Sequence, residues 1–343
     1  MRYQSLLTKT FLKLFLCSML TGCSTFVYKT TGEAMHNVGQ DLIIPYILST
    51  PDPQMACSSA EANTPLIMGF EKVDVDTSDL AISMMLTAGA CEQNRAFDEE
   101  LRYLRALHRQ DPTTAEDARS AQKTLLAAAA RRQLAGYRAY EHYFAESIAS
   151  NQCPEFESDQ QELAWLMGNL VGVQAMVNDG ASDMVVQVPR NIAAKTERAM
   201  DCLDNEKWWG MPLALRAAVW STLPGLTPEG QTAEQAFEQA STMGAEQGVR
   251  MADALWAITA HGQGNAEQMR SVIRQHATTS NTKTANSHYA LFDAISTHII
   301  QQMSDRLWTQ NHGHRTPYNQ LGQFGDEHNA ISEGPTIDVD DLI

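Results

Sequence analysis

The chain has 343 residues, 41 acidic and 25 basic side chains, a formal net charge of −16 and a hydrophobic content of 43%. This acidity is a poor match for nucleic acid or anionic lipid head groups, and the apolar content excludes global disorder in a chain long enough for a sizeable core.

Residues 1–22 read as a secretory leader. Arg2, Lys9 and Lys13 form a basic front, Phe11 to Leu20 supply an apolar run too short for a permanent membrane span, and Leu20-Thr21-Gly22-Cys23 closes it as a lipobox. Cys23 is therefore the expected lipid-attachment site, and its acyl chains suffice for stable anchoring. Ser24 follows it in place of Asp, which points to the outer membrane with the body facing the periplasm. Loss of the leader removes Arg2, Lys9 and Lys13 and no acid, which takes the formal charge from −16 to −19.

With Cys17 lost and Cys23 acylated, Cys57, Cys91, Cys153 and Cys202 remain, an even number that allows three pairings. Sequence neighbours are the economical choice. Cys153 precedes one predicted helix and Cys202 ends the returning one, so a hairpin brings them to the same end, and Cys57 then pairs with Cys91. No C-x-x-C or clustered His/Cys spacing is present, so neither a metal nor any other cofactor is expected.

Residues 23–78 are expected to hold the lipidated N-terminus, a first helix and an irregular loop from Ser49 to Ser78, because Pro51, Pro53 and Pro65 punctuate that stretch. From Asp79 to residue 309, apolar positions recur at steps of three and four with short polar breaks, which predicts an all-α domain of helices about 14–20 residues long, each antiparallel to the next. Thr113 with Glu116 and Ser158 with Gln161 fit capping boxes, and Pro228 suits a first helical turn. Residues 310–343, rich in Gly and Asp, are expected to be a disordered acidic tail in which His312, His314 and His328 are inert.

Five aromatic residues are the candidate partner or ligand surface. Tyr137, Tyr140 and Tyr143 lie three residues apart along one side of a predicted helix, and their polar tips suit either a groove or an interior. Trp208 and Trp209 are adjacent, so on a helix they would point about 100° apart and one partner helix could not bury both equally. No nucleophile elbow, phosphate loop or zinc-protease motif occurs, and the acidic pairs fit solvated helix starts, so catalysis is not expected.

Ala233, Phe237 and Ala240 fit the Ala-x3-aromatic-x2-Ala spacing of a tetratricopeptide helix pair. Together with Asp204 to Gly210, Leu223-Pro224, Thr227 to Gly230, Val249 to Ala254 and Leu291 to Ile295, the chain resembles the T component of tetratricopeptide-associated tripartite ATP-independent periplasmic (TRAP) transporters. The resemblance spans residues 79–308 and is sharpest from Trp208 to Ala254. It implies a tetratricopeptide-like α-solenoid of antiparallel helical hairpins. It also implies a non-enzymatic lipoprotein that docks a periplasmic solute-binding protein and its organic ligand, and it leaves self-association open. The alternative is an outer-membrane assembly or envelope-maintenance scaffold that meets no solute.

Overall fold

The computed structural model describes residues 24–325, which are all-helical, with no strand among them. Cys23, the leader and residues 326–343 lie outside the described residues. Helix α1 (24–38) passes through a π-helical turn, Gly39–Ile43, into α2 (Ile44–Ser49). Then come α3 (Pro53–Met68), α4 (Ser78–His108), α5 (Pro112–Tyr143), α6 (Ala145–Ser150), α7 (Asp159–Ala181) and α8 (Ile192–Ala199). The remaining helices are α9 (Met211–Thr222), α10 (Ala233–Gln247), α11 (Met251–Gly262), α12 (Ala266–Thr282) and α13 (Ala290–His312).

The segment expected as an irregular loop is largely α3. Pro53 sits in the first helical turn, where its missing N–H costs nothing, and Asp52 caps that turn by accepting from the Met55 amide at 2.9 Å. Ala56, Cys57, Ala60, Thr64 and Ile67 form the buried face, packed on α4. Pro65 lies three residues from the helix end and forfeits one bond, that of its own missing N–H to the Glu61 carbonyl.

Helices α4 and α5 have 31 and 32 residues, twice the expected length, because no proline interrupts either interior. They pair along their length and span about 46 Å at 1.5 Å per residue. At the α5 start Asp111, not Thr113, is the cap: its carboxylate accepts from the Thr114 amide at 3.0 Å, and Pro112 takes the first helical position. The Ser158 cap of α7 is as expected, with Gln161 N–H donating to Ser158 Oγ at 3.3 Å while Gln161 Oε1 accepts from the Glu157 amide at 2.8 Å. Pro228 lies before α10, whose cap is Thr232.

Helix α7 packs on α5 and α4, and the contact is fixed by a buried amide network. Gln133 donates to Gln93 and Gln174, both at 2.9 Å, and accepts from Asn178 at 2.7 Å. Each group satisfies another, which makes a slip of one turn expensive. In the second half α9, α11 and α13 touch in a row, α10 packs on α9 and α11, and α12 on α11 and α13. The last helix also returns to α4. There Arg306, nearly buried, grips Glu100 with two bonds of 2.6 and 2.7 Å. The segment after α13 is not loose either: Leu321 and Phe324 pack on the second-half core, and Trp308 Nε1 donates to Gln323 O at 3.0 Å.

The Glu100–Arg306 closure gives the fold an acid-sensitive seam. Burial alone would raise the Glu100 pKa, but the hydrogen-bonded Arg306 charge outweighs it and holds the carboxyl below its ordinary value. Beside it His261 is pushed below its ordinary value by burial first and by Arg306 second. Both folded pKa values are depressed, so the associated stability is present above the unfolded pKa and is lost as pH falls. Urea midpoints are expected to drop as pH falls below about 6.5, the unfolded histidine value, and again through the carboxylate range. His261→Gln should shrink the first drop, to which His298, also held below its ordinary value by burial, still contributes, and leave the second; a midpoint unchanged between pH 7.5 and 5.5 in the native sequence would contradict this.

Candidate docking surface

The structure brings both expected cysteine pairs together. Cys57 of α3 and Cys91 of α4 have a Cα separation of 5.7 Å, and Cys153, ahead of α7, lies 5.3 Å from Cys202 at the end of the turn after α8. The second pair ties the approach to α7 to the exit from α8, and it borders a cleft of about 160 Å³. Tyr137 and Tyr140 of α5, Trp165 and Asn169 of α7, and Lys195 and Arg198 of α8 contribute to its lining. Lys195 is already held by Glu141 at 3.0 Å, so an aromatic wall beside Arg198 is what would meet a small organic anion, in a volume of roughly five water molecules.

Tyr137 and Tyr140 are each only 3% exposed, so they are interior residues that reach the cleft from within, not an open aromatic surface. Their burial follows from α7, where Gly168 and Gly172 leave room for the rings: a Cβ at Gly168 would lie 2.1 Å from the Tyr140 ring, and one at Gly172 2.5 Å from the Tyr137 ring. Asn169 Nδ2 donates to Tyr140 Oη at 3.0 Å. Burial pushes both phenol pKa values up, helped at Tyr137 by the Glu141 carboxylate, so both stay neutral. Tyr143 is half-buried, its ring edge-on to Phe144.

Trp208 and Trp209 are 1% and 2% exposed, so both are interior, against the expectation of unequal burial by one partner helix. That expectation assumed a helix. Trp209 instead adopts left-handed backbone (φ 53°), as does Gly210 (φ 74°), and the turn delivers both indoles inward with centroids 5.4 Å apart. Trp208 Nε1 donates to Glu162 at 2.7 Å, while Trp209 packs against Tyr289 at 4.6 Å. Gly210 is required here, because a Cβ would lie 2.4 Å from the Ala240 carbonyl oxygen of α10.

The exposed apolar residues lie elsewhere. After α7, Asp183, Met184 and Gln187 are all left-handed (φ 61°, 61° and 62°), a conformation that costs non-glycine residues about 1–3 kcal/mol each. Buried Asp179 holds the loop in place. Its carboxylate accepts from the Val186 and Val188 amides at 2.8 and 2.9 Å, and its carbonyl from the Met184 amide at 2.7 Å. The result is a fixed knuckle that presents Met184 and Val185 to solvent, with Val177 exposed on the preceding helix. The sequence signal for it is modest: Asn178-Asp179-Gly180 followed by Ser182-Asp183 is a turn-forming cluster, and only the fold shows that Asp179 faces inward.

His312 and His314 stack on each other and pack tilted against Trp308, and His328 lies outside the described residues. Among the described residues no group of three or more His, Cys, Asp or Glu could hold a metal ion, and no helix is long and apolar enough to cross a membrane. Fold and surface together define an all-helical protein fastened by two cysteine pairs, with a small cleft beside the second pair and an apolar knuckle after α7. Comparison of the chain with protein-family models, with curated proteins and with solved structures finds no match.

Proposed function

We propose that the chain is a non-enzymatic lipoprotein scaffold, acylated at Cys23 in the outer membrane and facing the periplasm, which docks a solute-binding protein in the manner of a TRAP-transporter T component. The observation that carries the docking reading is the Met184–Val185 knuckle, an apolar element held rigid at a cost in backbone strain and left uncovered. Rigid apolar anchors lose little freedom on binding, which is where affinity is gained. The two cysteine pairs support an oxidising compartment. In this reading α8–α9, α10–α11 and α12–α13 are tetratricopeptide-like hairpins, and the 160 Å³ cleft is the place for a small organic ligand.

One buried row has the order of a nucleophile-activating triad: Asp253 Oδ2 lies 2.9 Å from His276 Nδ1, and His276 Nε2 lies 3.1 Å from Thr297 Oγ1. The Thr297 hydroxyl donates to Asp293 O at 3.1 Å, however, and Ser241 donates to the other Asp253 oxygen. The row thus joins α10, α11, α12 and α13, a fastening role that favours a scaffold.

Met184→Ser combined with Val185→Ser is expected to weaken binding of a solute-binding protein from the same genome by about ten- to thirtyfold, the loss of one or two apolar anchors. Circular dichroism should be unchanged, because both side chains face solvent. Calorimetric titration with the mature chain measures the effect. Equal affinity for variant and native chains would remove the knuckle from the interface, and no binding by either would overturn the docking proposal.

A further inference from the structure

The largest concentration of exposed apolar side chains lies at the start of the described chain. Phe26, Leu42 and Tyr46 are 71%, 65% and 62% exposed, and Val27, Tyr28 and Val38 join them. Two faces separate along α1. Gly32, His36 and Gly39 turn toward the body: a Cβ at Gly32 would crowd Phe70 and Val75, His36 Nε2 lies 2.9 Å from the Asp79 carboxylate, and Gly39 sits over Leu80. On the opposite side Val27, Val38, Leu42 and Tyr46 form one row, with exposed Thr31 and Ala34 between the first two. The steps from 38 to 42 to 46 are each four residues, and the wider π turn at Gly39–Ile43 keeps them aligned where a regular helix would let them drift. Residues 24–30 are exposed throughout, so the first turns project past the body.

We infer that this outer face of α1 and α2 lies in the interfacial zone of the phospholipid leaflet that carries the Cys23 anchor, an inference that rests on the lipoprotein reading. The occupant follows from position. The row begins three to four residues after Cys23, so an acylated Cys23 would hold it at the bilayer surface, and tethering makes the contact intramolecular. The chemistry agrees: Phe26, Tyr28 and Tyr46 are aromatic residues of the kind that settle at head-group level, and apolar faces of surface helices sink about 5–10 Å. Charge does not drive the contact, since residues 24–49 hold Lys29 against Glu33 and Asp41. The contact is therefore apolar and insensitive to salt. With acyl chains at Cys23 already sufficient for retention, its consequence is orientation: the body is laid against the leaflet along α1 and α2.

The test uses the full-length chain, processed in cells and reconstituted in phosphatidylcholine vesicles, with an environment-sensitive nitrobenzoxadiazole probe at Leu42→Cys, at Tyr46→Cys or at Glu229→Cys as an exposed control. Probes at 42 and 46 should shift to the blue and lose at least threefold in quenching by aqueous iodide when vesicles are present, with the same result at low and high salt, while the probe at 229 stays accessible. If all three remain accessible on acylated protein that floats with the vesicles, the orientation is wrong and the lipoprotein reading stands. If mass spectrometry finds Cys23 unmodified and the protein does not float, the lipoprotein reading fails and takes the inference with it. Shielding at 42 and 46 that grows with protein concentration without vesicles would assign the face to a second copy and overturn the inference.

Discussion

Arg250→Met is expected to destabilise the protein by about 3–5 kcal/mol, the loss that follows when one partner of a buried ion pair is left alone. Arg250 is 1% exposed and joins three elements. One guanidinium nitrogen donates to both Asp293 oxygens at 2.8 and 2.7 Å, and the Arg250 amide donates to the same carboxylate at 3.0 Å. The other nitrogen donates to the Thr279 and Lys283 carbonyls at 3.0 and 2.6 Å, so the cation closes the C-terminal end of α12 while the carboxylate serves the first turn of α13. Methionine fills the space but strands a buried carboxylate and removes a donor from the Lys283 carbonyl, while the Thr279 carbonyl keeps the Lys283 amide at 2.9 Å. Asp293→Leu in the same chain should restore part of the loss by removing the stranded charge, and the residue-250 amide, which then loses its acceptor, keeps the restoration incomplete. Urea unfolding of the three chains reads this directly; a single-variant loss under 1 kcal/mol would show that no such clamp exists.

Replacing Cys153 and Cys202 by serine is expected to cost roughly 4 kcal/mol, the loop-closure value for a crosslink spanning about fifty residues. The effect should exceed that of any surface substitution, because the crosslink also fixes the approach to α7 and with it Phe156 against Trp165. Reductant should lower the stability of the native chain below that of the double variant, because it opens the Cys57–Cys91 pair as well. Alkylation of four free thiols in protein taken from the periplasm would refute both pairs.

The parts of this architecture that were legible in the chain are those set by local chemistry. Three- and four-residue apolar spacing announced helices, Ser158 and Gln161 announced a cap, and the cysteine count with hairpin logic announced the two pairs. What could not be read depended on distant partners or on backbone that sequence does not mark. Pro53 looked like a breaker and is a first-turn residue under an Asp52 cap. The fate of Tyr137 and Tyr140 was set by Gly168 and Gly172, four residues apart on a helix that meets them only in the fold. Trp209 takes a left-handed conformation that an indole side chain gives no reason to expect, and the pair thereby leaves helical geometry with both rings turned inward. The Met184–Val185 knuckle is not marked in the sequence because its determinant, buried Asp179, resembles any other turn aspartate.

The most direct test of the central claim is photo-crosslinking in living cells from a benzophenone amino acid in place of Val185, in the full-length chain and with its leader intact. The account predicts a light-dependent adduct in the outer-membrane fraction whose partner is a periplasmic solute-binding protein, lost when Met184 is changed to Ser. Adducts formed solely with cell-wall or outer-membrane assembly proteins would contradict it and favour an envelope-maintenance scaffold.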